Sequence, residues 1–186
     1  MDTHDLIKNI KSKKENVRAS AWQNAYTIGA PAIKPMATFM RNVDLEVARA
    51  AKRALWNIVR YACRPGCESI AKAVVAELIA LCGDDQPAAV RREVLWMLSE
   101  IGGDEVVDPI AALLTNQDLR EDARMVLQRI PGNKSLAALK AGLTAAPQDF
   151  KLNIAQSLRQ RGVKVPGLPC QKLVPTKETK VEPVGR

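Results

Sequence analysis

The chain has 186 residues, 47% of them hydrophobic but only 4% aromatic, and a formal charge of +8. That length holds one ordinary domain or one short repeat array, and a core built mainly from Ala, Leu, Ile and Val suits stacked helices better than a β-sandwich. No stretch approaches the ~20 apolar residues of a membrane-spanning helix, and the amino terminus, MDTHDLIKNIKSKKENV, has acidic residues first and no apolar run, unlike a secretory signal.

In chain order, a short periodic segment from roughly Asp5 to Lys11 comes first. The next stretch, VRASAWQNAYTIGA, places Val17, Ala21, Ala25 and Ile28 at offsets 0, 4, 8 and 11, with Gly29 at +12. Those offsets lie on one side of an α-helix at 100° per residue, and the glycine supplies a stop. PMATFMRNVD follows from Pro35, with its proline early in a helix, where an N–H has no intrahelical partner to lose. The frame returns at Val47, Ala51, Leu55 and Ile58. After it come CRPGCES, read as a loop at Arg64–Gly66, and an apolar helix from roughly Ser69 to Leu81. VRREVLWMLSEIGG repeats the frame with Val90, Val94, Leu98, Ile101 and Gly102. PIAALLTNQD from Pro109 repeats the proline-led pattern. Leu119, Ala123, Leu127 and Ile130 give a fourth copy, stopped by Pro131, and a helix from roughly Lys134 to Leu143 comes next. Phe150, Ile154 and Leu158, with Gly162, give the fifth.

Five copies therefore start at residues 17, 47, 90, 119 and 150. We call these the B helices and the segments between them the A helices. A hairpin of this size cannot bury its own apolar face, whereas stacked hairpins bury each other's. The fold class expected is all-α, an α-solenoid of about five helical hairpins over residues 1–162.

The Val-Arg, Ala, Leu, Ile-Gly frame, the early proline of two A helices and an Asp before the B helix make the chain resemble the HEAT-repeat family. The resemblance covers roughly Asp2 to Gly162. The copies are shorter than the ~40–47 residues usual for HEAT, and in this they are similar to the compact repeats of phycobilin lyases. No bilin-handling residue carries over. The last segment, residues 163–186, is proline-rich and basic without helical period. It is expected to be an extended or disordered tail, and Leu168, Leu173, Val174 and Val181 give it a means of lying along the solenoid.

The charge is unevenly placed. The B segments hold thirteen Lys or Arg against five Asp or Glu, while the remaining residues hold fifteen of each sign. B helices line the concave side of such a solenoid, so the basic excess is expected on the face that binds. On ideal helix geometry Tyr26 and Trp56 (+9) and Trp96 (+6) point away from the buried offsets. So do Arg49 and Arg92 (+2), Arg53 (+6) and Arg60 (+13). Trp22 and Lys52 (+5) lie near the boundary. Guanidinium groups fork onto carboxylate or phosphate, and indole faces accept cations, bases or apolar groups. Arg49, Arg53, Trp56, Arg92 and Trp96 are expected to form one continuous patch across the second and third B helices, with Tyr26, Lys52 and Arg60 beside it.

Structural roles compete for some of these residues. Arg18, Arg91, Arg120 and Lys151 share offset +1 and are expected to form an inter-repeat ladder, with Asp85, Asp44 and Asp118 as candidate partners. Trp22 is expected to pack between repeats. Cys63, Cys67, Cys82 and Cys170 are read as free thiols in a cytoplasmic, reducing setting. One histidine, His4, at the start of the chain cannot complete a zinc site or a catalytic triad, so neither metal nor other cofactor is expected. The reading is a non-catalytic binding scaffold whose concave groove takes an acidic protein or peptide. A nucleic-acid module using the same groove on phosphates is the alternative, and a lyase-type enzyme subunit is a more distant one.

Overall fold

The computed structural model describes residues 1–170, and every regular element among them is helical. Leu173, Val174 and Val181 lie outside the described residues. The hairpins are α1 (Thr3–Ile10) with α2 (Glu15–Gln23), α3 (Ile33–Phe39) with α4 (Leu45–Ala62), and α5 (Glu68–Ala80) with α6 (Ala88–Ile101). Two more follow: α7 (Val107–Ala112) with α8 (Arg120–Arg129), and α9 (Asn133–Ala145) with α10 (Gln148–Gln160). Each A helix packs on its own B helix, and α2, α4, α6, α8 and α10 form a continuous row in which each touches the next. No helix among the described residues is long and apolar enough to cross a membrane.

The repeated frame is the core. Val47, Val90, Leu119 and Phe150 at offset 0, and Ala21, Ala51, Val94, Ala123 and Ile154 at +4, are all buried. So are Ala25, Leu55, Leu98, Leu127 and Leu158 at +8. Alanine at +4 in three copies lets neighbouring helices approach, and leucine at +8 in four copies fills the space between them. Pro35 and Pro109 each sit third in their helices, α3 and α7, inside the first turn as expected.

Two expected stops act differently. Gly162 takes φ 78°, with its N–H donating to the Arg159 carbonyl and that of Val163 to the Leu158 carbonyl, a left-handed cap that suits glycine. Gly102 has an extended backbone, φ −72° and ψ 147°. There the requirement is space: a Cβ would stand 2.6 Å from the Leu98 carbonyl oxygen and 2.8 Å from a Val106 methyl.

The first B helix also ends sooner than its frame, at Gln23, and passes into a single 3-10 turn, Ala25–Thr27. Its polar residues compete for the backbone: the Asn24 amide donates to the Ser20 carbonyl at 2.8 Å, and the Thr27 hydroxyl to the Asn24 carbonyl at 2.8 Å. The chain after α10 starts against the array. Val163 and Val165 pack on the core, and Arg159 donates to the carbonyls of Val165 and Leu168.

Candidate functional site

The break in α2 shapes the cleft beside it. It leaves the Tyr26 N–H without a helical acceptor, and that N–H donates instead to the side-chain oxygen of Asn57 on α4 at 3.1 Å. This fixes the Tyr26 ring, which stacks on Tyr61 with centroids 4.6 Å apart and planes at 28°. Between α2 and α4 lies a cleft of about 790 Å³. Trp22 and Tyr26 form one wall; Arg49, Lys52, Arg53, Trp56, Arg60 and Tyr61 of α4 form the other, with Arg64 from the following loop.

Three of its arginines lie over aromatic faces. The guanidinium carbon of Arg53 is 5.6 Å from the Trp22 centroid, that of Arg60 is 5.4 Å from Trp56, and that of Arg64 is 5.0 Å from Tyr61. Among the described residues none of the three is in an ion pair. A ring face attracts a cation by ~0.5–1 kcal/mol at an exposed site. It also holds the planar group in place while leaving its N–H donors for an incoming anion.

Most other cations of the B row are engaged. Arg49 bonds Glu46 at 2.6 Å, and Lys52 bonds Glu93 at 2.7 Å. Arg92 lies outside the cleft and donates to the Asp118 carbonyl at 2.9 Å, with Asp122 at 3.7 Å. Arg124 and Arg129 hold Glu121 and Glu100. Arg161 donates to the carbonyls of Leu127, Ile130 and Gly132 at 3.1, 2.8 and 2.8 Å, closing the open end of α8.

Six of the eight residues expected to bind, Tyr26, Arg49, Lys52, Arg53, Trp56 and Arg60, thus line one cleft. It lies between the first and second B helices, where the sequence placed the patch across the second and third. The expected patch is divided because Glu93 and Asp122, both at offset +3, each take the indole N–H of the preceding B helix. Trp56 donates to Glu93 at 2.6 Å, and Trp96 to Asp122 at 3.1 Å. Trp56 is half-buried by this contact, while Trp96 keeps 47% of its surface exposed but stands apart from the cleft.

Only two rungs of the expected +1 ladder cross between repeats, and their partners differ from those expected. Arg18 reaches Glu46 at 3.7 Å, and Arg120 reaches Asp149 at 2.6 Å, both in the next hairpin. The bond from Arg120 holds the Asp149 carboxyl below the usual carboxylate range. Arg91 instead turns back to Asp84, at 2.9 Å, in the loop before its own helix. Lys151 makes no ion pair among the described residues. Asp44 is taken up as the cap of α4, accepting from the Glu46 N–H at 2.9 Å, and Asp118 uses its backbone oxygen on Arg92.

Trp22 packs against the core as expected and also lines the cleft. Tyr61, Arg64, Glu93 and Asp122 were missed. Tyr61 and Arg64 lie at +14 and +17, past Arg60 at +13, the last position read from that copy. The two acids share an offset, a signal that a register-by-register comparison of polar residues would have raised. The four thiols are unpaired, and burial pushes Cys82 up to about 11. Among the described residues no three His, Cys, Asp or Glu side chains are grouped so as to hold a metal ion.

Comparison with known proteins agrees with this architecture. The family model for HEAT repeats matches residues 56–128 and 75–159, together more than half of the chain. No curated protein matches the sequence significantly. Among solved structures, an engineered protein is 21% identical over 85% of this chain and 78% of its own, with a TM-score of 0.42. A computationally designed armadillo repeat protein for modular peptide recognition is 18% identical over 83% of this chain and 80% of its own, with a TM-score of 0.45. The repeated frame, the continuous row of B helices and the family match lead to one conclusion: the chain belongs to the HEAT-repeat family.

Proposed function

We propose that this HEAT-repeat protein is a non-catalytic binding scaffold and that the cleft between α2 and α4 recognises an acidic protein segment. The observation that carries the reading is the placement of Arg53, Arg60 and Arg64. They face one cleft over aromatic rings without carboxylate partners among the described residues, while the arginines of α6 and α8 are engaged within the array. Carboxylates match the guanidinium fork, and Trp22, Tyr26 and Trp56 supply the aromatic surface typical of binding hot spots. A reducing cytoplasmic setting fits the four unpaired thiols.

Charge also favours a short acidic ligand over a long nucleic acid. A strand continuing from the cleft along the B row would meet Lys52, Arg92 and Arg124, whose charges are already met by Glu93, Asp122 and Glu121. The test is anisotropy of a fluorescein-labelled Glu/Asp-rich peptide and of a labelled single-stranded oligonucleotide, each titrated with the full chain at two salt concentrations. The peptide is expected to bind, and Arg60→Ala to weaken it about tenfold or more. Preferential, steeply salt-dependent binding of the oligonucleotide would replace this reading with the nucleic-acid one.

A further inference from the structure

A second, smaller depression adjoins the basic cleft on the other side of α4. It has a volume of about 250 Å³, below the ~300–1,000 Å³ of small-molecule pockets, and is of the order of a socket for a side chain. Five of its lining residues are apolar, Met40 after α3, Leu45 and Ala48 on α4, and Ala89 and Val90 on α6, and the others are Arg41, Arg49, Lys52 and Glu93. Leu45 is 66% exposed at the start of α4, and Val43, two residues earlier, is 98% exposed. Two bare aliphatic side chains at a hairpin tip are unusual beside so many satisfied polar groups, and the core does not account for them.

The two depressions share residues. Arg49 and Lys52 line both, and each is anchored by a carboxylate, Arg49 by Glu46 and Lys52 by Glu93. Their aliphatic stems offer apolar surface toward a neighbour while their heads remain charged. The outer face of α4 thus changes along its length. It starts apolar at Leu45 and Ala48, passes through the two anchored cations, and ends at Arg60, with Arg64 in the loop beyond, neither in an ion pair among the described residues. From Leu45 to Arg60 the helix rises about 22 Å, the reach of six or seven extended residues.

We infer that the ligand of the basic cleft is an acidic segment carrying an aliphatic side chain at one end, and that this side chain seats between α4 and α6 against Leu45, Ala48 and Ala89. The inference rests on the acidic-ligand reading and adds to it a second contact point and a length. Charge complementarity chooses the acidic part, because Arg53, Arg60 and Arg64 line the cleft without ion pairs among the described residues. The apolar anchor follows from the aliphatic side chains of Met40, Leu45, Ala48, Ala89 and Val90, while of the charged residues that also line the socket Arg49, Lys52 and Glu93 are already paired and Arg41 is exposed to solvent.

The experiment uses the full chain and three fluorescein-labelled peptides of equal length: a Glu/Asp-rich segment with serine flanks, and the same segment with a leucine replacing serine at its amino or at its carboxyl end. One leucine-bearing peptide is expected to bind about tenfold more tightly than the serine peptide, the gain from burying one aliphatic side chain. Leu45→Ser should remove that gain and leave the serine peptide's affinity unchanged, while Arg60→Ala should weaken all three. Leu45 is exposed, so the variant retains its fold, which its circular dichroism melt checks. Equal binding of the three peptides, or a gain that survives Leu45→Ser, overturns the anchor and leaves the acidic-ligand reading standing. Absence of binding by every peptide overturns both.

Discussion

At the scale of single residues, the side chains with the largest structural consequence are polar ones that finish helices. Arg161 reaches from α10 to three carbonyls at the end of α8 and to the Ser135 hydroxyl at 3.1 Å. Hydrogen bonds from a charged donor contribute ~1.5–3 kcal/mol, and part of that is lost here to solvent. Arg161→Ala is therefore expected to lower stability by about 2 kcal/mol in urea denaturation, with hydrogen exchange accelerating first in residues 127–135. Gly102→Ala should cost ~1–3 kcal/mol, because the new methyl meets a backbone oxygen and a branched side chain that have little room to retreat. Cys82 gives a pH signature. Its pKa is raised by burial, so its contribution to stability is intact below the ordinary thiol value near 9 and declines as pH rises toward about 11. The melting temperature of the wild type should fall more steeply across that window than that of Cys82→Ala, and in the folded protein Cys82 should be the last thiol to be alkylated.

At the scale of elements, the B helices were legible and the contacts between them were not. The offsets 0, 4 and 8 identify a buried side because helical periodicity acts within one segment, and no partner need be known. The partners of Trp56 and Trp96 depend on how far each B helix is displaced against the next, which a single helix's sequence does not contain. The shared +3 acids could be recognised only by comparing copies. A prediction follows for that contact. Glu93→Ala removes the acceptor of the Trp56 indole and the partner of Lys52, and should cost about 1–2 kcal/mol while shifting tryptophan emission to the red. Glu93→Gln keeps an acceptor and should retain most of that stability. The early end of α2 was not foreseen, because the frame at Ala25 and Ile28 continues past the point where Asn24 and Thr27 divert the backbone.

At the scale of the molecule, charge was legible as an excess on the B row but not as a distribution along it. The counts treat every arginine alike, whereas packing divides them into those closing the array and those facing the first cleft. The tight inter-repeat pairing of α6, α8 and α10 gives the carboxyl-terminal hairpins a polar face with few spare cations, which is why the proposed recognition site lies at the amino-terminal end. The most direct measurement compares two double variants for binding of the acidic peptide by anisotropy. Arg53→Ala with Arg60→Ala should abolish measurable binding, and Arg92→Ala with Arg129→Ala should leave the affinity within about twofold of wild type, a difference well under 1.4 kcal/mol. Equal losses in the two variants would contradict the account, since binding would then follow net charge and not the cleft between α2 and α4.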